Sequence, residues 1–108
     1  MSASLRAALE AALGAGQVSQ DPAALALAGS DLFEWPGAVA PEFLLRPGSV
    51  AEAAAAMRLL AAAGYAVVPR GAGLSYTGGA VPHAARVAVV ETTRLAHVEV
   101  DAGDLRAR

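Results

Sequence analysis

Between Pro69 and Pro82 the chain reads PRGAGLSYTGGAVP, with four glycines and several hydroxyl side chains directly behind the apolar run Tyr65, Ala66, Val67, Val68. Glycine takes positive φ without steric cost and carries no Cβ, so successive amides can turn toward one point and form a nest for an anion such as phosphate. Gly71, Gly73, Gly78 and Gly79 supply that freedom at the carboxyl end of an expected parallel strand, where open α/β sheets place their ligands. Ser75 and Thr77 add neutral hydroxyl donors, and Arg70 adds a permanent charge whose side chain can equally point away. By itself such a loop is as readily a tight connection as a ligand site.

Two familiar phosphate loops are excluded by mechanism. A Walker loop needs a lysine, and all eight basic residues here are arginine. The dinucleotide fingerprint needs its glycines to open a helix, which Gly78, Gly79 and Pro82 prevent. What remains is anion binding by the main-chain amides of a coil. The isolated His83 and His97 are read as structural and make no metal site. The sequence has no cysteine, which removes disulfides, thiolate nucleophiles and cysteine-bound metals, and fits a cytoplasmic protein. Asp31, Glu34 and Glu91 are expected to be solvated, and Phe33 and Trp35 to pack against the sheet.

The elements that must position the loop follow from pattern and punctuation. Leu5, Leu9 and Leu13 form one helical stripe, with Ser4 as its cap and Gly14 as its stop, in a helix short enough to be peripheral. Asp21 and Pro22 open a second helix that runs to Gly29. The stretch SDLFEWPGAVAPE, residues 30–42, is irregular. FLLR, residues 43–46, is a buried strand. In SVAE, the Ser49 hydroxyl caps the amide of Glu52 while the Glu52 carboxylate returns to the amide of Ser49. A helix follows with Val50, Ala53, Ala54, Met57, Leu60 and Ala61 on its core face, and Gly64 ends it. Residues 65–68 and 87–90 are further strands. Strand, helix and strand in this space make a right-handed crossover, with the two strands parallel and side by side. LAHVEV alternates as a strand and turns back through Asp101 to Asp104 into residues 105–108.

Composition sets the outer limits. Of 108 residues, 56% are hydrophobic and 17% charged with net charge −2, enough for a core and too little basic excess for nucleic acid. No apolar run reaches the ~18 residues of a membrane span. The expected class is α+β, close to α/β, with a helical and irregular segment at 1–40 and a ligand-binding part at 41–108. The short return strand leaves an open sheet edge, so the chain is expected to be a fragment of something larger.

VVPRGAGLSYTGGAVP, preceded by LLRPGSVAEAAAAMRLLAAAGYA and followed by an apolar strand and LAHVEVD, resembles the N-terminal part of the FAD-binding domain of the vanillyl-alcohol oxidase and p-cresol methylhydroxylase family. Within it the nearest likeness is to the bacterial glycolate oxidase and D-lactate dehydrogenase type. The resemblance implies that the amides of Arg70, Gly71, Ala72, Gly73, Leu74 and Ser75 wrap the FAD pyrophosphate. Thr77, Gly78 and Gly79 would continue the wall, with Val68 and Pro69 near the adenosine half. Many relatives attach the flavin to a histidine where this chain has Leu74, so the FAD is expected to be noncovalent at this loop. Ala72 replaces a more frequent glycine and is tolerable where φ is negative.

The implied activity is that of a flavin-dependent oxidoreductase taking a hydride from a small alcohol or 2-hydroxy acid. An electron-acceptor protein or iron–sulfur subunit would be its partner, and peripheral attachment to a membrane in the parent complex is compatible with it. Catalytic and substrate-binding residues would lie in parts of the family's enzymes beyond this stretch. The flavin subunit of a molybdenum hydroxylase, or a nucleotide- or anion-binding module without turnover, are the alternatives.

Overall fold

The computed structural model describes residues 2–31, 34–73 and 81–108. Helix α1 spans Ser2–Leu13 and is followed by a short 3-10 turn and strand β1, Val18–Ser19. Helix α2 spans Pro22–Ala28, strand β2 Phe43–Leu45, helix α3 Val50–Ala62, strand β3 Ala66–Arg70 and strand β4 Val87–Glu91. Strands β5, Val100–Asp101, and β6, Arg106–Ala107, close the order.

Four strands form one mixed sheet in the order β1-β2-β4-β3. β1 runs antiparallel to β2, whereas β2 and β3 each run parallel to β4. The strands joined by α3 are therefore parallel, as the crossover predicts, but they are not side by side, because β4 lies between them. The burial pattern explains the order. Val87, Ala88, Val89 and Val90 are all buried, so β4 is apolar on both faces and belongs inside the sheet. β3 is exposed at Ala66 and Pro69, and proline cannot donate to a ladder, so β3 takes the edge.

Side chains alternate across the sheet as its pleat requires. Phe43, Leu45, Ala88 and Val90 face a core shared with Leu5, Leu9, Leu13, Val18, Ala56 and Leu60. Leu44 and Val89 face the other way, against Ala28, with Ala24, Leu25 and Val68 alongside. Helices α1 and α3 thus cover one face and α2 the other. The α1 stripe is the expected one, yet the helix is a core element rather than a peripheral one: Leu9 is fully buried. It begins at Ser2, which leaves the expected cap Ser4 inside its first turn.

Helix α3 starts as expected at Ser49, whose Oγ accepts from the Glu52 amide at 3.1 Å. The Glu52 carboxylate reaches one residue further back than expected, to the amide of Gly48 at 3.3 Å. The core face also differs. Ala56 and Leu60 are buried, with Leu59 and Ala63 leaning on them, while Val50 is 80% and Met57 46% exposed. Gly64, at φ +77°, stops the helix. Its amide donates to Ala61 at 3.1 Å and the next amide, of Tyr65, to Leu60 at 2.9 Å, a Schellman closure. β5 and β6 pair antiparallel across the expected turn, but the strand expected over 95–100 is confined to Val100–Asp101, with no strand at 95–99, and the pair is a separate, exposed two-stranded sheet rather than an extension of the first.

Candidate functional site

The carboxyl edge of the parallel strands gathers charged residues from three of them. Arg46 follows β2, and its Nε donates to Oε2 of Glu91, the last residue of β4, at 2.9 Å. Glu91 is therefore paired, not simply solvated. Arg94 Nη1 donates to the carbonyl of Arg46 at 2.8 Å, and its guanidinium lies over Gly48. Only the strand order brings these groups together. Arg46 and Arg94 stand 48 positions apart, and nothing local in the sequence marks either one.

β3 runs two residues beyond its expected end, so Pro69 and Arg70 belong to the strand. The Arg70 carbonyl accepts from the Thr92 amide at 2.9 Å, which fixes the point where the glycine loop departs. Among the described residues, none supplies an acceptor to the amides of Gly71, Ala72 or Gly73. Among the described residues, a Cβ added at Gly71 would meet only Thr92 Oγ1, at 4.0 Å, so none of them closes the surface there to an approaching group. Ala72 is not among the residues with positive φ, which meets the condition for replacing a glycine.

Gly73 has φ +76° and requires glycine for a different reason from Gly71. A Cβ on it would lie 2.8 Å from Cζ of Arg70, so the arginine occupies the space that the sequence reading reserved for a ligand. Arg70 turns inward: its Nη1 donates to the carbonyls of Ala28 at 3.1 Å and Ser30 at 2.5 Å. The remaining expected site residues, Leu74, Ser75, Thr77, Gly78 and Gly79, lie outside the described residues, as does Phe33.

Beside this edge, Gly29, Ser30, Asp31, Glu34, Trp35, Ala38 and Val81 line a depression of about 380 Å³. Trp35 is half-buried, and its indole Nε1 donates to the Asp31 carboxylate at 3.0 and 3.1 Å. The exposed His83 meets the Trp35 ring edge-on at 6.4 Å between centroids. His97 is exposed, with Nε2 3.4 Å from Oε1 of Glu99. The described residues contain no group of three or more His, Cys, Asp or Glu able to hold a metal, and no helix long and apolar enough to cross a membrane.

A second cluster marks the opposite, amino edge. Glu42, Tyr65 and Arg86 stand immediately before β2, β3 and β4. The phenol of Tyr65 is raised above its ordinary pKa, first by its hydrogen bond to Glu42, then by burial and by the Glu42 charge, against the lowering effect of Arg86. The Arg86 guanidinium lies 5.2 Å from the Tyr65 ring centre, and its Nη2 donates to the Ala63 carbonyl at 2.6 Å.

A family model described as an FAD binding domain matches residues 41–108. No curated protein matches the sequence. Among solved structures, p-cresol methylhydroxylase with substrate bound matches with TM-score 0.76 at 14% identity, over 92% of this chain and 20% of that one. A berberine bridge enzyme variant described as a reticuline dehydrogenase matches with TM-score 0.74 at 20% identity, over 95% and 22%. The berberine-bridge-enzyme-like protein 1 of Physcomitrella patens matches with TM-score 0.66 at 23% identity, over 88% and 21%. The chain spans about a fifth of the length of these structures, and the likeness is one of fold: the mixed helix and sheet arrangement of the p-cresol methylhydroxylase type. With the family model covering well over half of its residues, the chain belongs to the FAD-binding domain family, and FAD is its cofactor.

Proposed function

We propose that the chain is the part of a flavin-dependent oxidoreductase that grips the FAD diphosphate, and that the whole enzyme oxidises a small alcohol or 2-hydroxy acid of the glycolate or D-lactate type. The observation that carries the reading is the start of the glycine loop. Three successive amides there, of Gly71, Ala72 and Gly73, have no acceptor among the described residues, and none of those residues crowds Gly71 at the carboxyl edge of β3. These residues fit a diphosphate: no described side chain crowds Gly71, where the amides begin, and the Arg70 guanidinium lies against Gly73 at the far end of the three. When bound, the flavin ring supplies the two-electron redox chemistry, and the protein supplies binding and orientation. Pro69 and Arg70 anchor the loop to the sheet, with Leu74, Ser75, Thr77, Gly78 and Gly79 assigned to the continuation of the same wall. Leu74 has no nucleophilic atom, so the flavin is held noncovalently at this loop.

Purified intact protein tests the reading. It is expected to be yellow and to release its flavin into the supernatant on acid precipitation. Gly71→Val, whose side chain would project into the open space, is expected to weaken FAD binding by about tenfold or more while leaving the melting temperature of the apoprotein unchanged. A colourless protein that FAD does not protect from heat would leave an anion-binding module in place of an oxidoreductase. Wild-type FAD affinity in Gly71→Val would remove the loop from the cofactor site.

A further inference from the structure

We infer that Arg70 is a positioning residue for the cofactor loop: it clamps Gly73 against the turn after α2 and leaves the diphosphate to the main-chain amides. The inference rests on the FAD reading above for its consequence, though not for its geometry. Both ends of the clamp are fixed. The backbone of Arg70 lies in register with Glu91, and its carbonyl is held by the Thr92 amide. From that point the side chain reaches back 42 and 40 positions in sequence to donate to Ala28 and Ser30. The Ala28 carbonyl, at the end of α2, has no partner further along its own helix, and the arginine supplies one.

The other side of the guanidinium covers the α carbon of Gly73, within a distance that leaves no room for a Cβ. A guanidinium whose Nη1 is shared by two carbonyls, and whose Nη2 and Nε side is pressed against a glycine, is committed to the interior of the loop. Gly73 and Arg70 are therefore one device: the glycine lets the loop turn at positive φ, and the arginine holds that turn beside residues 28–30.

The test is a set of variants of the intact protein: Arg70→Lys, Arg70→Met, Gly73→Ala, and Arg70→Ala with and without Gly73→Ala. FAD affinity is read at low and high salt, and amide exchange is read without FAD. Lysine keeps the charge but not the planar guanidinium that covers Gly73 while holding both carbonyls, so Arg70→Lys is expected to lose FAD affinity about as far as Arg70→Met, roughly tenfold or more, with the salt dependence of binding unchanged in both. The amides of Gly29 and Ser30, which donate to Leu25 and Leu27, are expected to exchange faster in both variants. Gly73→Ala is expected to cost distinctly less FAD affinity in the Arg70→Ala background than in the parent, because the clash is gone and the two losses are not additive.

Full rescue by lysine, or a shallower salt dependence in Arg70→Met, would overturn the inference and make the arginine a direct phosphate ligand. Additive effects at 70 and 73 would also overturn it. If the parent protein binds no FAD, the functional reading fails while the exchange measurement still decides the clamp: unchanged exchange at Gly29 and Ser30 would sink it.

Discussion

Arg46 and Glu91, at the ends of neighbouring parallel strands, meet through a single 2.9 Å contact between Nε and Oε2. The pair is partly exposed, the arginine side chain at 39% and the carboxylate at 19%, so water screens much of its attraction. A double-mutant cycle with Arg46→Met and Glu91→Gln, followed by denaturant unfolding, is expected to give a coupling of about 0.5–1 kcal/mol that shrinks at high salt. A coupling that salt leaves untouched would contradict this account.

Tyr65 should report on the amino edge by titration. Its raised pKa, owed first to the hydrogen bond with Glu42, means that the folded chain holds the phenolic proton more tightly than the unfolded chain. The resulting stability is fully present below the ordinary tyrosine value of about 10 and is lost as pH rises through the raised value. The difference in tyrosine absorbance between the parent and Tyr65→Phe isolates this residue from Tyr76, the other tyrosine. Glu42→Gln should bring the transition down in pH and flatten the alkaline loss of stability.

Two substitutions on α3 separate its real core face from the one its sequence advertises. Leu60 is fully buried, and Leu60→Ala is expected to cost about 2–5 kcal/mol in denaturant unfolding. Met57 is 46% exposed, and Met57→Ala should change stability by no more than about 0.5 kcal/mol. Equal costs at the two positions would place the helix in the wrong rotation.

At Gly48 a Cβ would fall 2.6 Å from Nη2 of Arg94, whose Nη1 donates to the Arg46 carbonyl. Gly48→Ala must push that flexible guanidinium aside, so its cost is the lost hydrogen bond, about 0.5–1.5 kcal/mol. In an Arg94→Ala background the same change should cost almost nothing, as paired thermal melts of the four proteins would show.

Much of this architecture is written locally. The leucine stripe of α1, the Asp21 and Ser49 caps and the Gly64 stop each depend on residues a few positions apart, and each forms where its signal stands. The face of α3 was not legible because alanine fills so many of its positions that several stripes are equally apolar. Packing against α1 then decides the rotation, placing small Ala56 and long Leu60 inward. Strand order was not legible either, since the crossover rule fixes direction and hand but leaves room for another strand to enter between. Within the site, the glycines were visible as such, but the purpose of Gly73 was not. Its partner Arg70 is near in sequence, whereas the carbonyls that turn the arginine inward lie some forty residues earlier.

The place of β4 also bears on how the polypeptide matures at the ribosome. When β3 has emerged, its neighbour among the described strands, β4, has yet to follow it out, and β2 has found nothing more than the two residues of β1. The nascent chain therefore passes through an interval in which a stretch of Val67 and Val68 awaits a ladder. Emergence of Glu91 ends that interval, with one incoming strand pairing β2 and β3 at once.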